Sequence, residues 1–158
     1  MRTRTVTAFL LLGLLSVTGW AADARGCKDH PLFTRMSGYQ LAACEKKFEQ
    51  LVIKLDEDPD AARNPHPEGD RSKSRYEWDD AAGTPPDFLQ VLRNYQNAAT
   101  ARGGAVLAEH PRYTALKFTP EGRTVYASVE VCNEGRTVEL QGLEQQAMAQ
   151  EVSATMMW

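Results

Sequence analysis

An apolar run near the N-terminus decides how much of this chain remains to fold and in which compartment it folds. Residues 6–17 are mostly apolar, Arg2 and Arg4 precede them, and the small residues Ala21 and Ala24 follow. This order is typical of a secretory signal peptide. The run is shorter than the about 20 residues that a membrane-spanning helix needs. The pattern therefore predicts an exported protein with a cleaved leader and no permanent transmembrane span.

The leader is predicted to occupy residues 1–24, with the cut after Ala21 or after Ala24. Both positions fit because each has another small residue two places earlier. The remaining chain, residues 25–158, has about 135 residues, which indicates one domain large enough to bury a core.

Charge excludes one class of partner. The formal net charge is −3, and loss of the two leader arginines makes the mature protein still more acidic. The remaining basic residues are scattered among acidic ones, whereas phosphate backbones are bound by clustered Lys and Arg. We therefore expect no nucleic-acid partner.

Three cysteines follow the leader: Cys27, Cys44 and Cys132. Export to an oxidising compartment favours a disulfide. Cys27 and Cys44 flank one short stretch and are the preferred pair, while a bridge from Cys44 to Cys132 across a sheet is the alternative. The remaining thiol, expected to be Cys132, is either a half-buried apolar residue or a reactive free thiol. No Cys-x-x-Cys motif supports a thioredoxin-type site.

The clearest helix signal covers residues 84–102. Thr84 suits the cap, Pro85 suits the first helical position, and Gly103-Gly104 suits the stop. Residues 144–152 are predicted to form a short C-terminal helix, with Ala147, Met148 and Val152 along one side.

Alternating or short apolar runs predict strands elsewhere, and residues 56–73, rich in Pro and Asp, predict a polar surface loop. Residues 39–55 fit either a helical stripe or strands around a turn at Glu45-Lys46-Lys47. The predicted strands are 75–78, 105–108, 113–119, 124–132 and 136–143.

Several of these motifs resemble a module of Gram-negative envelope proteins. The opening residues 26–36 (GCKDHPLFTRM) with Gly38-Tyr39 carry the most specific part of the resemblance. The resemblance extends over nearly the whole mature chain, through residues 91–95 (VLRNY), the Gly103-Gly104 stop, residues 144–148 (EQQAM) and residues 150–152 (QEV). In those proteins the module precedes an OmpA-like peptidoglycan-binding domain.

The resemblance implies an α+β fold in which a mostly antiparallel sheet packs against one main helix, and it favours strands over residues 39–55. It also implies a periplasmic or outer-envelope location. No OmpA-like domain follows within this sequence, so peptidoglycan binding is not implied.

One adjacent pair could carry acid–base chemistry. Asp29-His30 would be an oriented pair if the carboxylate fixed the imidazole tautomer. Pro31 follows, however, and an X-Pro pair favours an extended or turn backbone. No serine in a nucleophile-elbow context accompanies the pair. A local turn is the preferred role of this candidate functional loop.

Metal and cofactor sites have no support in the sequence. His30, His66 and His110 are too widely spaced for a zinc site. The acidic run from Asp56 to Asp60 begins like a calcium loop, but Ala61 stands where that loop requires Gly. We expect no metal and no cofactor.

Five aromatic side chains could line a ligand groove or belong to the core, and the core is the preferred interpretation. They are Tyr76, Trp78, Tyr95, Tyr113 and Tyr126.

The sequence as a whole predicts an exported, envelope-associated protein that is a non-enzymatic binding or interaction module. Its expected partner is an envelope component or another protein. The alternatives are a small secreted hydrolase that uses Asp29 and His30, and an inhibitor or ligand carrier.

Overall fold

A computed structural model describes residues 22–153, which form a six-stranded antiparallel sheet and one α-helix. This confirms the predicted α+β class with one main helix. In chain order the elements are β1 (Tyr39–Gln50), β2 (Glu68–Trp78), α1 (Phe88–Ala101), β3 (Ala105–His110), β4 (Tyr113–Phe118), β5 (Val125–Cys132) and β6 (Thr137–Gln145).

The strands lie in the order β1-β2-β6-β5-β4-β3, and each pair is antiparallel. Residues 39–50 form one long strand through the charged run that the sequence left open as a turn. The strand is continuous because β2 pairs with it residue by residue, from Ala43 to Gln50. Both β1 and β3 are edge strands.

Helix α1 begins later than the sequence predicted. Its cap is Asp87, whose carboxylate accepts a hydrogen bond of 2.7 Å from the Gln90 N–H, and not Thr84. The reason is the second proline, Pro86, because a residue before proline is disfavoured in helical conformation. Pro85 therefore cannot start the helix. The predicted stop is confirmed, since Gly103 has a φ of 76° and its N–H bonds to the Thr100 carbonyl.

The helix covers only part of one sheet face, the face that we call the inner face. Its contacts with the sheet fall mainly on β3, β4 and β5. Alternate residues of β5 point at it, and full burial of each such apolar side chain contributes about 1.5–3 kcal/mol. The residues buried between helix and sheet include Val91, Leu92, Tyr95, Ala99, Leu116, Phe118, Ala127, Val129 and Val131. Within residues 22–153, no helix is long and apolar enough to cross a membrane.

The opposite, outer face carries a smaller core beneath the loop that joins β1 to β2. Leu51 and Ile53 of that loop pack with Tyr113, Ala115 and Leu143. Asn64 holds the loop in shape, since its Oδ1 accepts from two backbone N–H groups at 2.9 and 3.0 Å.

The polar loop is shorter at its C-terminal end than predicted, because β2 begins at Glu68 and not near Arg75. Residues 68–73 contain no large apolar side chain, so their sequence resembles a loop. They nevertheless form a strand, because both of their edges pair, one with β1 and one with β6. Their side chains stay polar because helix α1 does not extend over this part of the inner face.

The short helix predicted over residues 144–152 is absent from the described chain. Glu144 and Gln145 complete β6, and residues 146–153 form neither helix nor strand. The apolar stripe has nothing to pack against, since the exposed fractions of Met148 and Val152 are 70% and 80%. A short helix without tertiary packing is unstable in water. Residues 1–21, which hold the predicted leader, and residues 154–158 lie outside the described residues.

The preferred disulfide is confirmed. Cys27 and Cys44 are bonded with their Cα atoms 5.7 Å apart, and Cys132 is free. The bridge attaches the irregular N-terminal segment covalently to edge strand β1.

We predict that replacing both bonded cysteines with serine destabilises the fold by about 3 kcal/mol, because the bridge closes a loop with a sequence separation of 17. Urea unfolding of the double variant beside the oxidised protein measures this difference. A Cys132→Ser variant is the matched control and should unfold close to the wild type. Equal midpoints for the double variant and the wild type would contradict the structural role of the bridge.

Candidate functional site

A groove lies on the inner face where helix α1 leaves the sheet uncovered. Its volume is about 570 Å³, which falls within the range of small-ligand sites. Residues 30–32 of the N-terminal segment form one wall, and Pro120 and Arg123 of the β4–β5 connection form the other. The floor is the sheet itself, from β1 across to the start of β5.

The floor of the groove consists of two neighbouring rows of side chains. Register places Lys46, Ser72 and Gly142 in one row across β1, β2 and β6. Two residues along each strand, Phe48, Asp70 and Glu144 form the next row in the same way. The small residues Ser72 and Gly142 of the first row give the groove its depth, while the second row supplies the carboxylates of Asp70 and Glu144.

His30 lies directly above Gly142. A Cβ atom at Gly142 would be 3.0 Å from the His30 Cδ2 and closer still to its Nε2. The His30 Nδ1 accepts a hydrogen bond of 3.1 Å from the Leu32 N–H. A neutral imidazole that accepts at Nδ1 carries its proton at Nε2. His30 therefore presents an N–H donor, and not a basic nitrogen, to the floor of the groove.

The surroundings of His30 keep it neutral. Burial, and to a smaller extent the nearby Lys46 ammonium, lowers the pKa of His30 from 6.5 to about 4. Both causes disfavour the imidazolium. At neutral pH the fixed positive charge on this side of the groove therefore comes from Lys46.

Asp29, the other residue of the predicted pair, forms hydrogen bonds with residues other than His30. Its carboxylate accepts hydrogen bonds from the Arg35 guanidinium at 3.0–3.1 Å and from the Tyr76 hydroxyl at 2.8 Å. An acid–base dyad needs the carboxylate to accept from the imidazole Nδ1, but that nitrogen is itself an acceptor for Leu32. Asp29 and His30 are adjacent in sequence, yet their side chains hold different partners.

Some charged groups of the groove form ion pairs with each other, and others do not. Arg123 donates to both carboxylate oxygens of Glu144 at 2.8 Å. Lys46 and Asp70 form no ion pair with any other residue in the range 22–153 and are exposed along the groove. The groove thus offers a cation and an N–H donor near β1 and the N-terminal wall, and carboxylate acceptors farther along.

Cys132 lies far from this groove, on the outer face. Its side chain is half-buried, and burial together with the Glu130 and Glu139 carboxylates raises the pKa of the thiol. A raised pKa lowers the fraction of nucleophilic thiolate. The raised pKa favours the role of a half-buried sheet residue over that of a reactive thiol, and this role stays a prediction.

His110 and the acidic loop have structural contacts, whereas His66 is an exposed loop residue. His110 Nε2 lies 3.1 Å from the Lys54 carbonyl, and its ring stacks on Tyr113. Asp56 and Asp58 accept from backbone N–H groups two residues further on, as turn-forming aspartates do. Among the described residues, no cluster of three or more His, Cys, Asp or Glu could hold a metal ion.

The aromatic residues considered for a groove belong to the cores instead. Tyr76, Tyr95 and Tyr113 are buried, with exposed fractions of 1–6%. Trp78 packs edge-on against Tyr39, and Tyr126 lies on the smaller core. The aromatic ring beside the groove is Phe48, which the sequence did not single out.

Sequence reasoning found His30 but missed the other groove residues. One local signal was present, because Gly142 interrupts the alternation of Val138 and Leu140 on β6. Glycine inside a strand often marks a close approach of another group. Lys46, Ser72 and Asp70 gave no such signal, since their neighbourhood depends on strand pairing across distant parts of the chain.

No protein-family model matches this chain, and no curated protein matches it significantly.

We predict that His30 makes stability depend on pH. Its pKa is lowered on folding, so between pH 6.5 and about 4 the unfolded state binds more protons than the folded state. Stability contributed by the neutral ring is therefore complete above about pH 6.5 and is lost as the pH falls to about 4. The loss should be about 2 kcal/mol, since the ring is not fully buried. Urea unfolding across this range, compared with a His30→Gln variant, measures it.

A control keeps this prediction specific. His66→Gln changes an exposed loop residue and should keep the wild-type pH dependence. Identical pH profiles for the wild type and His30→Gln would contradict the buried, neutral state of His30.

We also predict that Gly142→Ala displaces the His30 ring, because the new methyl group would overlap it. The displaced ring becomes more exposed, so the pKa of His30 should rise from about 4 toward 6.5. An NMR titration of the histidine ring protons measures this directly. A fold that remains intact while the pKa of His30 stays low would contradict the contact.

Proposed function

We propose that this protein is an exported, non-enzymatic binding module of the Gram-negative cell envelope, and that it holds an extended polypeptide segment in the inner-face groove. The export signal and the resemblance of residues 26–36 to an envelope module support the location. The Cys27–Cys44 bridge fits an oxidising compartment.

The observation that carries the proposal is the uncovered groove itself. Most of the inner face is packed under helix α1 and the N-terminal segment, yet about 570 Å³ beside them stays open. Lys46 and Asp70 lie in it without an ion-pair partner from residues 22–153. Polar groups that converge in a concave site are the usual mark of a ligand site.

A polypeptide fits the chemistry of the groove better than a purely anionic ligand. Backbone amides provide donors and acceptors in alternation, which suits the His30 donor of the wall and the Lys46 donor and Asp70 acceptor of the floor. An anion alone would meet Asp70 and Glu144 in the second row. Apolar contact for side chains comes from Leu32, Pro120 and Val125.

A binding role is also favoured over the hydrolase alternative. A general base at neutral pH needs a pKa near 7 and a free acceptor nitrogen. The pKa of His30 is about 4, and its Nδ1 accepts from the Leu32 N–H while its Nε2 holds the proton. Asp29 is engaged by Arg35 and Tyr76. These features suit a hydrogen-bond donor rather than a proton acceptor.

The test uses the purified mature protein and a library of random octapeptides. Selected peptides should bind the wild type, and Lys46→Glu should weaken that binding at least about tenfold, or about 1.4 kcal/mol. Gly142→Val, which fills the floor, should weaken it as well. Lys117→Glu makes the same charge change on the outer face and is the matched control, with an effect below about twofold. Isothermal titration calorimetry gives the dissociation constants.

Three results would overturn the proposal. In the first, peptides bind equally well to Lys46→Glu and Lys117→Glu. In the second, soluble peptidoglycan glycan fragments bind the groove and peptides do not. In the third, the mature protein turns over ester, peptide or glycan substrates and His30→Ala abolishes that turnover while the melting temperature is nearly unchanged.

A further inference from the structure

We infer that the precursor is processed by hydrolysis of the Ala21–Ala22 peptide bond, so that residues 22–24 remain as a structural part of the mature protein. Water adds across this bond, which leaves a carboxylate on Ala21 of the leader and an ammonium group on Ala22 of the mature chain. The inference rests on the proposed export, and it selects one of the two cleavage positions that the sequence allows.

The two possible cleavage positions differ in whether residues 22–24 stay in the mature protein. A cut after Ala21 keeps them, whereas a cut after Ala24 removes them and makes Arg25 the first residue. Small-residue spacing permits both cuts. The contacts of Asp23 and Ala24 with the folded domain discriminate between the two.

Ala24 pairs with edge strand β1. Its N–H donates to the carbonyl of Leu41 at 2.8 Å, and its own carbonyl accepts from the Cys27 N–H at 3.1 Å. These bonds cover the start of β1 on the side away from β2. An uncovered edge strand is a template for unwanted pairing, and proteins commonly cover such edges with a loop.

Asp23 also bonds to the free edge of β1. One of its carboxylate oxygens accepts from the Leu41 N–H at 3.0 Å, so Leu41 is bonded at both backbone groups by residues 23 and 24. The Arg35 guanidinium binds the Asp23 carboxylate through both terminal nitrogens, with Nη2 at 2.7 Å. These partners lower the pKa of Asp23 from 3.8 to about 2.

Arg35 connects this segment to the rest of the domain. It also binds Asp29, which in turn accepts from the hydroxyl of the buried Tyr76 on β2. Only 23% of the Arg35 side chain is exposed. Loss of Asp23 would leave this largely covered guanidinium with one carboxylate instead of two, and removing one member of a partly buried charge pair is costly.

The segment is held at both ends of its short course along β1. Residues 23 and 24 bond to Leu41, and three residues after Ala24 the Cys27–Cys44 disulfide fixes the chain to the same strand. A cut after Ala24 would therefore remove the part of the segment that covers the edge and leave the disulfide as its first anchor.

The experiment is the intact mass and N-terminal sequence of the protein recovered after export of the full chain. The expected mature protein begins with Ala22-Asp23-Ala24. A first residue of Arg25 would overturn the inference and leave the proposed export standing. A full-length chain with its leader uncut would instead overturn the proposed export.

Two matched variants separate the cleavage positions. Ala21→Leu puts a large side chain directly before the inferred cut and should abolish the Ala22 product. Ala24→Leu makes the same change directly before the other position and should leave the Ala22 start intact. The opposite pattern, in which only Ala24→Leu blocks processing, would overturn the inference.

A third measurement tests the structural reason independently of the protease. A chain beginning at Arg25 should melt at least about 4 °C below a chain beginning at Ala22, because it lacks the bonds to Leu41 and Arg35. Asp23→Asn in the longer chain, which keeps the backbone bond but weakens the ion pair, should fall between the two. Equal melting temperatures for all three would show that residues 22–24 have no structural role and would overturn the inference.

Discussion

One helix has to cover one face of a six-stranded sheet, and it is too small to do so. Helix α1 has 14 residues, a length of about 21 Å at the usual rise. Helices are about 10 Å wide, whereas six strands extend about 24 Å across the sheet. The helix packs on β3, β4 and β5, so β1, β2 and part of β6 need another cover.

The N-terminal segment supplies that cover on the inner face. Phe33 enters the main core and packs edge-on against Tyr95 and Phe118. The Cys27–Cys44 bridge and the contacts of Asp23 and Arg35 hold the segment in place. The cover stops at residues 30–32, and the groove is what remains. Its position is thus a direct consequence of incomplete packing, and His30 lies at the boundary between packed core and open site.

Local sequence signals predicted the elements whose partners lie nearby. The alternation of residues 124–132 and the glycine stop after helix α1 are decided by neighbouring residues, so both were predicted correctly. Two errors have one cause. Residues 68–73 look like a loop but form a strand, and residues 144–152 look like a helix but do not form one. Strand pairing with β1 and β6 overrode the local pattern of residues 68–73, and the absence of packing partners overrode that of the predicted C-terminal helix.

The sequence by itself determined the preferred disulfide and the disposition of His30 in a loop, because spacing and local backbone preference decide these features. It also indicated the α+β class, through the resemblance of its motifs to the envelope module. Only the tertiary structure decided the site. Lys46, Ser72 and Gly142 come from three strands that are far apart in the chain, and register alone places them in one row. The tertiary structure likewise separated the side chains of Asp29 and His30, since the nearest partner in sequence was not the nearest partner in space.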